Sequence, residues 1–209
     1  MLKNKSPKQL IVIGDSSVYG YGDKEGGGWC ERLRKEWLYI QNEVIIYPLG
    51  IRGDGVEKVA LRWEKEWNSR GETRRNSPKG ILLNVGLNDT ARIGQKNGRH
   101  LLEIDGFEYG LERLINSIKK KTDVFVLGLT PINENKMPFA DCLWYSNEFC
   151  NSYEKRMEEV CINQNVPFLS TFKEMYADKR SINWISQDGI HLNSEGHLWI
   201  YQRIKSWSI

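Results

Sequence analysis

Five short apolar runs alternate along this chain with segments of helical periodicity, and that alternation restricts the fold more than any other feature. The runs cover residues 9–13, ending at Gly14, 43–47, closed by Pro48, then 80–85, 123–129 and 166–169. Between and after them, apolar residues recur every three or four positions. The sets are Trp29, Leu33, Trp37 and Ile40; Val56, Val59, Ala60, Trp63 and Trp67; Phe107, Leu111, Leu114, Ile115 and Ile118; Tyr153, Met157, Val160 and Cys161; and Ile200, Tyr201, Ile204 and Trp207. Each set marks one face of a helix. A strand that is apolar at nearly every position is buried on both sides, which a parallel sheet sandwiched between helices provides. The expectation is an α/β fold, a three-layer α/β/α sandwich with right-handed crossovers.

The 209 residues suit one domain, 1–209. A net charge of +3 is too balanced to indicate a nucleic-acid partner. Six basic and three acidic residues between Arg62 and Lys79 account for all of it, and that segment reads as a solvated helix end and loop. No run approaches the 18 or so apolar residues of a membrane span, and the N-terminus lacks a secretory pattern. The four cysteines have no Cys-x-x-Cys spacing, so neither a metal nor a redox motif is expected. Together these point to a cytoplasmic protein with reduced thiols and no cofactor.

Four turn motifs carry chemistry, and three of them directly follow the first three strands. Gly14-Asp15-Ser16-Ser17 puts a hydroxyl nucleophile, Ser16, at the carboxyl edge of the sheet. Gly50-Ile51-Arg52-Gly53-Asp54-Gly55 exposes backbone N–H donors. Gly86-Leu87-Asn88-Asp89 offers the Asn88 amide. Asp188-Gly189-Ile190-His191 sets a carboxylate three residues before an imidazole, close enough to fix its tautomer and free Nε2 as a base. A serine hydroxyl needs both a base and donors for the oxyanion that follows its attack. Each motif alone is an ordinary turn, but together they supply every role.

These residues resemble the SGNH, or GDSL-type, hydrolase family, from Gly14 to about Gly196. The resemblance implies a flavodoxin-like sandwich of about five parallel strands in the order 2-1-3-4-5. It implies Ser16 as nucleophile, His191 as base and Asp188 as its orienter. The oxyanion hole would be formed by the N–H groups of Ser16 and Gly53 and by Asn88, with Asp15 supporting the nucleophile loop. Pro48 stands where the family often has Asn, and Ser170 where Asp is frequent.

The expected activity is ester hydrolysis on a small ester or acyl substrate. Acyl transfer, carbohydrate deacetylation and non-catalytic ligand binding on the same fold are the alternatives. No Gly-x-Ser-x-Gly elbow of the α/β-hydrolases occurs. The glycine-rich segment 20–28 lacks both nucleotide-binding patterns. Segments 90–105 and 131–145 have no clean period and are expected to shape the substrate site. Met137, Phe139, Leu143, Trp144 and Tyr145 lean the second toward an acyl or aromatic ester. Of the three histidines, His197 reads as non-catalytic, and so does His100, with room left for a substrate contact.

Overall fold

The computed structural model describes residues 8–38, 44–70 and 76–207. The apolar runs form one parallel sheet. β1 (Lys8–Gly14) is flanked by β2 (Val44–Gly50) and β3 (Gly80–Asn84), and β5 (Asp123–Leu127) and β7 (Phe168–Leu169) extend it in the order β2-β1-β3-β5-β7. Two short strands, β4 (Arg92–Ile93) and β6 (Leu143–Trp144), pair with each other outside this sheet. The five main strands therefore follow the expected 2-1-3-4-5 order.

The alternation of side chains across each strand builds the layers. Ile11, Ile13, Ile81 and Leu83 join one core with α3 (Val56–Asn68), α4 (Ile104–Lys119) and α5 (Asn147–Asn163). Leu10, Val12 and Leu82 join a second with α2 (Trp29–Glu36) and α7 (Ser194–Ser206). Asn193 caps α7, its side-chain oxygen accepting the N–H groups of Glu195 and Gly196.

Several boundaries differ from the sequence reading. β2 does not stop at Pro48 but runs to Gly50, with Pro48 opposite Val12. Proline is tolerated because β2 is an edge strand, with no neighbour on its outer side to miss the N–H. β5 ends at Leu127, and the Leu129 N–H turns instead to the buried Glu154 carboxylate at 2.6 Å. Trp207 follows α7 and does not extend it. The expected helical position Ile40 and strand position Glu43 lie outside the described residues.

The two aperiodic segments are not independent loops. β4 and β6 pair Arg92 with Trp144 and Ile93 with Leu143, so the segments clasp one another. Beneath them Ala91, Ile132, Tyr145, Cys150, Phe172 and Ile190 form a small separate core, with Met137, Phe139 and Leu143 packed on it. The apolar content of 131–145 is thus accounted for by packing and does not in itself indicate an apolar substrate. No helix among the described residues is long and apolar enough to cross a membrane.

Leu82 is fully buried in the middle of β3. Leu82→Ala should cost about 2–5 kcal/mol of stability, measured by urea unfolding, because a close-packed sheet centre cannot collapse around the cavity.

Candidate functional site

β1 delivers Ser16 to the carboxyl edge of the sheet. Gly14 is required there, since a Cβ would come within 1.9 Å of the Asn84 carbonyl oxygen. The chain then turns into the four-residue helix α1 (Ser16–Tyr19), capped by Asp15, whose Oδ1 accepts the Ser17 N–H at 2.8 Å. Ser16 is buried and starts that helix.

His191 reaches Ser16 from the far end of the chain. Its Nε2 lies 2.9 Å from Ser16 Oγ, and its Nδ1 lies 2.6 Å from Asp188 Oδ2. A tight loop holds the pair, with the Ser186 N–H donating to the His191 carbonyl and the Gly189 N–H to that of Ser186. Asp188 Oδ1 accepts three further bonds, from Ser186 Oγ and the N–H groups of Ile190 and His191. Burial alone would raise the Asp188 pKa. The His191 ring and these N–H groups outweigh it and hold the carboxyl well below the usual carboxylate range, so it stays ionised. The Tyr21 and Phe139 rings flank the imidazole edge-on, at 4.5 and 5.9 Å.

Asn88 opens a 3₁₀ turn after β3. Its Nδ2 donates to the Asp54 carbonyl at 3.0 Å and to Asp15 Oδ2 at 3.3 Å, and its Oδ1 accepts from Tyr145 Oη at 3.4 Å. Gly53 sits on the exposed loop after β2 at φ +77°, a conformation that favours glycine, with nothing within 4 Å of where a Cβ would be. Its backbone N–H has no partner among the described residues. Ser16, His191 and Asp188 form one hydrogen-bonded chain, and Asp15 joins Asn88 to the Ser16 turn.

Two acids beside Asn88 titrate above the usual carboxylate range. Burial pushes the Asp15 carboxyl up to about 6, against the Ser17 N–H. It pushes Asp89 up to about 7, although both Asp89 oxygens receive the Val56 N–H at the start of α3.

The other histidines are occupied. The His100 ring is buried against Phe149, with Nδ1 on the Thr90 carbonyl and Nε2 accepting from Arg92 Nε. The sequence left it a substrate contact, but neither nitrogen is free for one. His197 Nδ1 accepts the Trp29 N–H and its Nε2 donates to the Tyr21 carbonyl. In the glycine-rich segment, the N–H groups of Glu25, Gly26 and Gly28 donate to the Asp23 carboxylate, so an internal anion already takes the donors a phosphate would need. Cys30, Cys142, Cys150 and Cys161 are free thiols. No cluster of three potential metal ligands occurs among the described residues.

Arg62 escaped the sequence reading, which placed it in a solvated segment. Its Nε meets Asp54 Oδ2 at 2.8 Å, and one Nη donates to the carbonyls of Gly14 and Leu49. The available signal was its position three residues after Val59, on the flank of the apolar stripe of α3. Tyr21 also escaped the sequence reading, and Phe139 and Tyr145 were read only as apolar members of a segment shaping the substrate site, not as neighbours of His191 and Asn88, because nothing in an aromatic residue's sequence context tells a site wall from a core.

A model of the GDSL-like lipase/acylhydrolase family matches residues 12–199. No curated protein matches the chain by sequence. Among solved structures, the chain is similar to a lipase/acylhydrolase from Enterococcus faecalis (20% identity, 94% of this chain and 93% of that one, TM-score 0.76). It is also similar to the acetyl xylan esterase AlAXEase (19%, 96% and 100%, TM-score 0.73). A third is a variant of Axe2, an acetyl xylan esterase from Geobacillus stearothermophilus (17%, 95% and 93%, TM-score 0.70).

The raised carboxyls set a pH dependence of stability. Asp15 and Asp89 hold protons at higher pH in the folded chain than unfolded, where a carboxyl titrates near 4. Their stabilising contribution is greatest below that value and falls as pH rises through about 6 and 7. Asp89→Asn keeps one acceptor for Val56 and cannot ionise. Denaturant unfolding should show it gaining stability over the parent at pH 8 relative to pH 4.5.

Proposed function

Because the chain belongs to the GDSL-like lipase/acylhydrolase family and is an ester-hydrolysing enzyme, we propose that Ser16, His191 and Asp188 perform the cleavage. The observation that carries this reading is the unbroken chain from Asp188 Oδ2 to His191 Nδ1 at 2.6 Å and from His191 Nε2 to Ser16 Oγ at 2.9 Å. Ser16 Oγ attacks the ester carbonyl as its proton passes to His191 Nε2. Asp188, ionised throughout, stabilises the imidazolium. The imidazolium then protonates the leaving alcohol. A water, giving its proton to the same nitrogen, releases the acid and restores Ser16.

The oxyanion of the tetrahedral intermediate is assigned to the Ser16 and Gly53 N–H groups and the Asn88 amide. The unpartnered Gly53 N–H suits that part. Asn88 is held by three neighbours, and its longest donation, 3.3 Å to Asp15, is the one an oxyanion displaces most easily. Asp15 caps α1 and steadies Asn88 and acts neither as base nor nucleophile.

For the substrate we favour a short acyl ester on a carbohydrate. Two of the similar folds are described as acetyl xylan esterases. The site also offers the edges of Tyr21 and Phe139 beside His191, and Arg52, held 3.8 Å over the Tyr21 ring, adds guanidinium donors that suit sugar hydroxyls.

A fluorophosphonate should label Ser16 and fail to label Ser16→Ala. That variant should lose about four orders of magnitude or more in kcat on 4-nitrophenyl acetate. Asn88→Ala should lose about 10²–10³ in kcat with little change in KM, as expected for a donor used only in the transition state. Full activity of Ser16→Ala would remove the assignment. Deacetylation of acetylated xylo-oligosaccharides in preference to long-chain 4-nitrophenyl esters would support the carbohydrate reading, and the opposite preference would overturn it.

A further inference from the structure

A cavity of about 790 Å³ opens beneath the β4–β6 clasp, and neither Ser16 nor His191 lines it. It is bounded by Arg92 of β4, Trp144 of β6, the start of α5 and α6 (Phe172–Ala177). That volume lies within the range of small-molecule sites. Tyr145 lines it as well, and since Tyr145 Oη donates to Asn88, the cavity and the ester-cleaving centre share a wall.

Its charge is one-sided. Arg92, Lys96, Lys155 and Lys173 face two acids, Glu134 and Glu148. Glu134 is already engaged, Oε1 accepting the Asn147 N–H at 2.7 Å. None of the three lysines forms an ion pair among the described residues. Arg92 is fixed in advance, its Nε on His100, one Nη on the Lys96 carbonyl and its guanidinium 4.2 Å over the Phe149 ring. A cation held by a neutral ring and a carbonyl still seeks an anion.

The walls suit a ring with hydroxyls. Tyr176 is more than half exposed and stacks on Phe172 with centroids 5.3 Å apart, presenting a flat aromatic surface. Asn97 and Asn151 add amides that both donate and accept. Aromatic faces with amides match a sugar, and unpaired cations match a carboxylate. We propose that this cavity binds an acidic sugar ring, a hexuronate unit of the glycan whose ester Ser16 cleaves next door.

The proposal rests on the carbohydrate-ester reading for its context, so its test is made on the Ser16→Ala protein, where binding is measured without turnover. Trigalacturonate, xylotriose and inorganic phosphate are titrated separately by calorimetry. The expected result is saturable binding of trigalacturonate, weakened about tenfold or more by Lys155→Glu with Lys173→Glu and unchanged by Lys65→Glu on the distant helix α3. Both cavity lysines are exposed, so their replacement leaves the core intact. Xylotriose and phosphate should bind much more weakly. Absence of trigalacturonate binding, equal binding of xylotriose or phosphate, or indifference to the two lysine changes would each overturn the proposal. Lack of deacetylase activity in the parent protein, with trigalacturonate binding retained, would instead count against the ester reading.

Discussion

The Arg62 guanidinium reaches three oxygens that belong to three different pieces of chain: the Gly14 carbonyl at the end of β1, the Leu49 carbonyl near the end of β2, and the Asp54 carboxylate beyond Gly53. Strand ends are where ladder hydrogen bonding runs out, and buried carbonyls there need another donor. One side chain supplies it to two strands at once while pairing its charge with Asp54. The Ser16 turn and the Gly53 loop are thereby fixed relative to each other. Beside that bridge, the Ile51 N–H donates to the Gly14 carbonyl, Arg52 lies over the Tyr21 ring, and the Asn88 amide spans from Asp54 to Asp15. The Asn88 amide is itself part of the chemistry assigned to the site.

A second constraint is the crowding of carboxyls around Asn88. Asp15, Asp54 and Asp89 converge on a region where water is scarce, and like charges in low dielectric resist one another. The fold answers in three ways. Arg62 neutralises Asp54. The first N–H of α3 meets Asp89, with the helix dipole behind it. Asp15 and Asp89 take up protons more readily than free carboxyls do. Asp188, by contrast, faces a ring and several N–H donors and keeps its charge. The same residue type thus holds its proton more readily near Asn88 and stays firmly anionic beside His191, a division set by depth of burial together with the donors each carboxyl meets.

How much of this was legible in the sequence depends on the range of the interactions. The five strands could be read because burial on both faces leaves an unmistakable run, as in Ile11, Val12 and Ile13, whereas their order was implied only by the family resemblance that the turn motifs carry. Ser16, Asn88, Asp188 and His191 could be read because each sits in a short turn motif. Arg62 could not, since its partners lie 8, 13 and 48 residues away and its own neighbourhood is polar. Nor could the pairing of β4 with β6, because two residues carry no period and the partners are distant in the chain. Pro48 misled as to where β2 ends, because the rule that proline breaks strands fails at an edge, and sequence does not say which strand will be at the edge.

The β4–β6 clasp also bears on how such a protein could change over time. Two surface segments that would ordinarily drift in length and composition separately are joined by a ladder and a shared miniature core. One of them carries Tyr145, which touches Asn88. An insertion or a swapped segment on one side would meet a partner shaped for the old one, so a change in either calls for a matched change in the other. The clasp makes the two segments a single heritable part, and through Tyr145 any change in them reaches the surroundings of Asn88.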